Sequence, residues 1–398
     1  MELLAKEQNQ PNILKIKRLA VAIFFFVNGF CYANWVARMP EVMDIYNVSY
    51  GTLSTLLLFT AAGSLTAMPF AGIVSAMFGS RRITGVLGIL FCLIIPLIPQ
   101  FTNLWMIRFM FFMIGVIAGG LDVAMNGQAV FVERLWKRPI MSSFHAVFSM
   151  GTALGALSSS KFTKYHIPLT EHLAIIAFFG MILNAWAAFN LVHDKPQKDK
   201  NIHNPDASGT EGGGVGLRLP TAAILPLGLI AFCGMTGEGS MADWSAMYMN
   251  KIVGKDLSFS ALAFGSFTTA MTIGRFFGDG LLEKMGKRKL LIYNSLAAIF
   301  GLSLSLIFIN PYMVLLGFFV TGLGVATIVP IVYSSAGNTE GVPPSVGIAM
   351  ATTVGYAGFF VGPPVIGFIA DLFDLRVGLL FSLFLFCVML GLVLKKIK

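Results

Sequence analysis

Charge is scarce in this chain. Asp, Glu, Lys and Arg make up 12% of its 398 residues, about half of the roughly 25% usual in soluble domains. So little charge cannot cover the surface of a soluble protein of this size. Cysteine is scarce too: Cys31, Cys92, Cys233 and Cys387 all lie in apolar runs, with neither paired metal-ligand spacing nor a disulfide framework. No Gly-x-x-x-x-Gly-Lys-Ser/Thr loop is present, which argues against direct use of ATP. Nucleophile–base constellations and metal-ligand spacings are also missing, so neither an enzyme nor a cofactor is expected. Short alternating segments of the kind that build a membrane barrel do not occur.

Long hydrophobic runs stand against these absences. Hydrophobic residues make up 56% of the chain, in blocks close to the roughly 20 residues that cross a hydrocarbon core about 30 Å thick. The blocks predict spans over 19–39, 51–76, 83–100, 103–127, 143–163 and 170–192. A second set follows over 219–247, 259–280, 289–309, 312–337, 345–370 and 374–394. The run from Leu19 lacks a cleavage-like ending and reads as a span, not a signal peptide. Residues 193–218 include Glu211-Gly-Gly-Gly-Val-Gly216, which can neither cross lipid nor build a core. They read as a flexible linker between a six-helix half, 1–192, and a second, 219–398.

The net charge of +9 would suggest nucleic acid in a soluble protein. Here the basic residues sit in connectors and ends: Lys15, Lys17 and Arg18; Arg81 and Arg82; Arg134, Lys137 and Arg138; Lys284, Lys287, Arg288 and Lys289; Lys395, Lys396 and Lys398. That distribution is a topological bias toward the lipid surface, with no nucleic-acid partner implied. It places both termini and the linker on the cytoplasmic side.

The halves echo one another. Tyr32-Ala-Asn-Trp35-Val-Ala-Arg38 closes the first span, and Met241-Ala-Asp-Trp244-Ser-Ala-Met247 closes the seventh, 209 residues on. Ala76-Met-Phe-Gly79-Ser-Arg-Arg82 precedes span three, and Glu283-Lys-Met-Gly286-Lys-Arg-Lys289 precedes span nine, 207 residues on. A near-constant offset indicates duplication, a plan that suits rocking about a central site.

On these residues the chain resembles the major facilitator superfamily. The family's loop pattern after span two, Gly-x-x-x-Asp-Arg-x-Gly-Arg-Arg, reads here Gly72-Ile-Val-Ser-Ala76-Met77-Phe-Gly79-Ser-Arg81-Arg82, with Ala76 and Met77 replacing Asp-Arg. Its second-half copy keeps Glu283 and Lys284 at those positions, with Asp279 where the first glycine would be. The resemblance implies twelve helices in two pseudo-symmetric six-helix bundles and a cytoplasmic latch at these loops. Arg108, with Gly115 and Gly119, is similar to the family's span-four arginine pattern. Asn28-Gly-Phe-Cys-Tyr-Ala-Asn-Trp-Val-Ala-Arg-Met-Pro40, Gly120-Leu-Asp-Val-Ala-Met-Asn-Gly127 and Gly237-Glu-Gly-Ser-Met-Ala-Asp-Trp-Ser245 resemble the bacterial YbjJ-like branch.

Ionisable groups inside spans are the candidate site, because a charge in the bilayer costs a few kcal/mol or more unless it faces a cavity or partner. Asp122 stands in an apolar helix with Asn126 four residues on, on the same face. It is either a substrate or proton residue or a bond between helices. Glu238 and Asp243 share span seven, where carboxyls that ionise when wet and neutralise when sealed suit a proton carrier. Arg38, before Met39-Pro40-Glu41, is expected to pair with one of them across the halves, or else to snorkel. Asn28, Tyr32, Asn34 and Trp35 offer polar and aromatic contacts along span one. Trp35 and its repeat mate Trp244 read either as stacking platforms or as interface anchors. Arg275 and Asp279 are expected to face one another and to join Glu283, Lys284 and Arg288 in a cytoplasmic gate, with Arg81, Arg82, Arg108 and His145 as further gating candidates.

The expected function is secondary active transport, by proton-coupled uptake of a small polar, sugar-like solute driven by the proton gradient. The partners expected are the solute and the lipid bilayer, with a monomer in a bacterial inner membrane. The alternatives are a proton-antiport exporter of small amphipathic compounds and a non-transporting receptor or scaffold.

Overall fold

The computed structural model describes residues 11–136, 140–193, 223–340, 342 and 344–397. Among them are fourteen α-helices, one 3-10 helix and no strand. In chain order these are α1 (Pro11–Val36), α2 (Met39–Tyr46), α3 (Tyr50–Phe78), α4 (Ser80–Ile94), the 3-10 helix Ile95–Gln100, α5 (Leu104–Trp136), α6 (Met141–Lys164) and α7 (Leu169–Asn190). Then come α8 (Leu225–Lys251), α9 (Leu257–Met285), α10 (Lys287–Ile307), α11 (Pro311–Val325), α12 (Ile328–Gly337), α13 (Pro344–Leu372) and α14 (Leu375–Lys396). Lys137, Arg138, Lys398 and all of the expected linker except His193 lie outside the described residues.

Local chemistry sets the helix ends. Ser49 accepts from the Thr52 amide to start α3, Asn310 from the Tyr312 and Met313 amides to start α11, and Asp374 from the Val377 amide to start α14. Pro96 and Pro99 turn the end of span three into a 3-10 segment. The ring of Pro330 crowds the carbonyl of Ala326, four residues back, and span ten breaks there into α11 and α12. Pro40 acts likewise between α1 and α2. Gly79 and Gly286 each form a one-residue hinge between consecutive helices at φ of 89° and 75°, backbone that glycine alone adopts at little cost. These are the two glycines of the repeated loop, so the sequence repeat carries a repeated backbone geometry.

Two helices outrun their expected spans by eight or nine residues at one end. α1 begins at Pro11 rather than at 19, making Lys15, Lys17 and Arg18 helical, and α5 continues past 127 to Trp136. Neither extension contains a breaker, and polar residues can stay helical beyond the lipid.

Ten of the described helices are long and apolar enough to cross a membrane, so this is an all-α, multi-pass membrane protein. α6 and α8, at 24 and 27 residues, have the length but fall short in apolarity. They carry His145, Ser149 and Thr152, and Glu238, Ser240 and Asp243. A helix with such residues must turn them away from lipid. Large apolar side chains such as Phe109, Phe189, Phe276 and Phe384 cover the outside.

Packing follows one scheme twice. α1 packs chiefly on α6 and α3 on α5; α8 packs on α13 and α9 on α11. Across the halves, α6 meets α9 and α3 meets α13. Small residues permit the closest approaches: a Cβ at Gly115 would overlap the Thr60 carbonyl oxygen, whereas one at Gly72 would meet nothing within 4 Å. Gly115→Ala should therefore lower stability by about 1–3 kcal/mol through overpacking, and Gly72→Ala should leave it unchanged or raise it. Thermal unfolding in detergent, followed by tryptophan fluorescence, checks the order of the two.

Candidate functional site

The polar helices close around a cavity of about 930 Å³. α1 contributes Tyr32 and Trp35, α3 Thr60 and Ser64, α5 Asp122 and Asn126, and α6 His145 and Phe148. The later helices contribute Glu238 and Asp243 from α8, Arg275 and Asp279 from α9, Tyr333 from α12, and Tyr356 and Phe359 from α13. Residues from both halves of the chain thus line one space, and its apolar lining mixes aromatic and methionine side chains with aliphatic ones.

Arg275 occupies the middle of the charge arrangement. Its Nη2 donates to Glu238 Oε1 at 3.0 Å, and its Nη1 donates to Ser149 Oγ on α6 at 2.7 Å. One planar guanidinium therefore holds a carboxylate of its own half and a hydroxyl of the other. The expected Arg275–Asp279 pair is not made. Helical side chains lean toward the helix N-terminus, which carries Arg275 away from Asp279, one turn nearer the mouth. Asp122 accepts from Asn126 Nδ2 at 3.1 Å, and the same amide reaches the Asp122 carbonyl at 2.8 Å. Asp243 lines the cavity at 9% exposure, with no hydrogen-bond partner among the described residues.

Tyrosines lie near these carboxylates. Tyr32 lies within electrostatic reach of Asp243 and Glu238, and Tyr356 within reach of both Asp122 and Glu238. Tyr333 and Tyr356 were missed from sequence. Their signal was a tyrosine in each of two glycine- and proline-rich apolar spans. Ser149, the cross-half partner of Arg275, was also missed, since a serine in such a helix carries no distinguishing mark.

Several expected site residues lie elsewhere. Arg38 does not pair with Glu238 or Asp243. It binds Glu41 at 2.5 Å, donates to the Ile167 carbonyl at 3.1 Å, and lies 3.1 Å from His172 Nδ1. The turn before α2 points it sideways, into its own half. A guanidinium can only donate, so His172 Nδ1 accepts; its Nε2 then donates to Asn34 Oδ1 at 2.8 Å. Asn34 also accepts from Ser158 Oγ at 2.7 Å and is fully buried. Arg38, His172 and Asn34 thus form a sealed network joining α1, α6 and α7. Asn28 meets Met125 Sδ at 3.9 Å and does not line the cavity. Trp35 is 2% exposed and lines the cavity, with no hydrogen-bond partner for its indole N–H among the described residues. Trp244 is fully buried beside Tyr50, outside the cavity lining. Neither tryptophan is an interface anchor.

The expected gate network is likewise dispersed. Glu283, Lys284 and Arg82 are exposed and make no ion pair among the described residues. Arg288 donates to the Leu394 carbonyl at 3.3 Å. Arg81 donates to the Ala188 and Phe189 carbonyls at 3.0 and 2.8 Å and contacts His193, capping the C-terminal end of α7 within its own half. Arg108 stacks on Trp105, 4.7 Å from the ring centroid, at the end of the molecule away from the basic clusters. His145 lines the cavity, its ring roughly perpendicular to that of Phe25. Among the described residues no His, Cys, Asp or Glu cluster is arranged to hold a metal.

The cavity is closed at the end away from the basic clusters. There Lys251 pairs with Asp44 at 2.6 Å, Ser49 and Gly51 donate to Asp371, Ser54 donates to the Pro363 carbonyl, and Ser160 meets Ser258. Toward the basic end the lining runs out to Met141, Asp279 and Leu282.

Residues 21–363 match the sequence model of the Major Facilitator Superfamily. The chain belongs to this family. Among its relatives, an uncharacterized MFS-type transporter of Yersinia pestis is 31% identical over 369 residues, 92% of either chain. The glucose/mannose transporter GlcP of Bacillus subtilis is 22% identical over 316 residues, 79% of this chain and 78% of that one. The crystal structure of the nucleoside transporter NupG shares the fold, with a TM-score of 0.74 at 12% identity over 96% of this chain and 99% of that one. This major facilitator is a secondary transporter and not an enzyme.

The Arg275–Glu238 bridge generates a stability prediction. Arg275→Met leaves Glu238 without its cation inside the membrane and should cost about 1–3 kcal/mol. Removing both charges, in Arg275→Met/Glu238→Met, should recover most of that loss. Thermal unfolding of the two single variants and the double variant measures the coupling; equal, additive losses would contradict the bridge.

Proposed function

We propose that this facilitator takes up a small polar, sugar-like solute together with protons by alternating access. The observation that carries the reading is the shared cavity, which draws Asp122 from one half and Glu238, Asp243 and Arg275 from the other while one end stays sealed. The duplicated hinge glycines and the twice-used packing scheme support two pseudo-symmetric six-helix bundles, 1–192 and 219–398, joined by the linker 193–218. In this reading α6 and α8 complete twelve spans. The basic clusters give the orientation: their end, the linker and both termini face the cytoplasm. The arrangement described above is then the inward-facing one, with the protein working as a monomer in a bacterial inner membrane. The matches in span one, span four and span seven favour the YbjJ-like branch.

The chemistry follows from the donors and acceptors. Carboxylates, Asn126, the tyrosine hydroxyls and the free Trp35 N–H suit a solute rich in hydroxyls, and aromatic faces suit its apolar side. The glucose/mannose specificity in the name of the Bacillus subtilis relative supports the sugar-like class. A proton entering from outside neutralises Glu238 or Asp122. Neutral Glu238 holds Arg275 less firmly, and the guanidinium becomes available to the solute. The halves then rock, and solute and proton leave on the cytoplasmic side. Asp243 and Trp35, toward the sealed end of the cavity, lie where an outward opening would admit water.

The test is solute accumulation in proteoliposomes with an imposed pH gradient, screened over sugars, nucleosides, acids and peptides. Uptake should rise as the outside is made more acidic than the inside, and Glu238→Gln and Asp122→Asn should abolish that dependence. Accumulation driven by the opposite gradient would overturn uptake. A pH dependence that survives both substitutions would overturn the carboxylate roles.

A further inference from the structure

At the sealed end the last turn of α13 meets the first turn of α3. The carboxylate of Asp371 accepts from the Ser49 hydroxyl at 2.8 Å and from the Gly51 amide at 2.9 Å. The first amides of a helix have no partner within it. In α3 they are shared between Ser49, which takes the Thr52 amide, and a carboxylate from the other half of the chain. A negative charge is favoured at that end of a helix. The contact also explains residue 51: a Cβ there would overlap the Asp371 carboxylate oxygen. One turn further on, Ser54 donates to the Pro363 carbonyl at 2.9 Å, and a Cβ on Gly367 would overlap the Ser54 hydroxyl. Among the described residues no such cap is seen at the opposite end of α3, where a Cβ at Gly72 would meet nothing within 4 Å and Phe70 and Met77 are exposed.

We infer that Asp371 is a positioning residue of the transport cycle, which holds the outer mouth shut by capping α3 across the two halves. The inference rests on the alternating-access reading above. Asp371 lies outside the cavity and touches no solute. To open outward, its carboxylate must leave Ser49 and Gly51, and the α3 amides must turn to water. Any change that removes the charge or pushes it away makes the outward-open state easier to reach. Lys251 and Asp44 form a second link at the same mouth. They are 29% and 59% exposed, and Asp371 is exposed as well, so water and salt weaken the charge term in both links.

The test reads which mouth is open. Thr60→Cys, facing the cavity, is placed in a Cys387→Ser background that removes the exposed native thiol. A membrane-impermeant thiol reagent is then applied to right-side-out and inside-out vesicles. Asp371→Ala should raise labelling from outside about tenfold, the shift expected on losing a charged helix cap, with labelling from inside falling. Gly51→Ala leaves the carboxylate in place chemically but displaces it, and should act the same way, which guards against a folding defect in either variant. Asp371→Asn, keeping an acceptor without the charge, should fall between. Outside labelling unmoved by both Asp371→Ala and Gly51→Ala but raised by Asp44→Ala overturns the latch and leaves alternating access standing. Labelling unmoved in all three overturns both. A rise in Asp371→Ala alone also overturns the latch, since a displaced carboxylate should behave as an absent one.

Discussion

The whole arrangement depends on what lipid does to charge. A carboxylate or guanidinium facing hydrocarbon costs several kcal/mol, so each one inside the spans must find a partner or a polar space. Asp122, Glu238, Asp243 and Arg275 meet that demand together in a single cavity, while Arg38 meets it separately in a sealed network with Glu41 and His172. These are different solutions to one problem. The first leaves groups free to change partners; the second ties Arg38 to Glu41, the Ile167 carbonyl and His172 at once.

Arg275 shows how the two halves become energetically linked. Its guanidinium satisfies Glu238 and Ser149 at once, so a change in the charge of Glu238 alters what holds α9 against α6. The seal at the end away from the basic clusters works in the opposite sense, through a carboxylate at a helix start and the Ser54 side chain packed on the backbone of Pro363 and Gly367. One bridge stands in the cavity. The other stands outside it, at the mouth. A rocking mechanism needs both, because movement at the centre must be paid out as separation at one end and closure at the other.

Much of the fold was legible in the sequence, since apolar runs near twenty residues and a repeat at nearly constant offset survive without any knowledge of side-chain direction. The repeated Gly79 and Gly286 hinges are the same signal seen in the backbone. Side-chain partners were less legible. A soluble helix announces its inner face by an apolar stripe, but a membrane helix is apolar toward lipid and toward its neighbours alike. The direction of Arg38, Asn34 or Trp244 therefore could not be read from periodicity, and each turned out to serve packing. Asp122 with Asn126 was readable because both partners lie on one helix, four residues apart. The partners of Arg275 lie 37 and 126 residues away in the chain, beyond any local rule.

The central claim is that the carboxylates share a path opened alternately at its two ends, and distances across the halves test it directly. Spin labels at Arg82 and Glu283 span the basic end, and labels at Glu171 and Asp256 span the opposite end; all four positions are exposed. Pulsed electron resonance in lipid, with pH and solute varied, reads both distances. The account predicts that they change in opposite senses, one shortening as the other lengthens. Distances that stay fixed under every condition, or lengthen together, would contradict it.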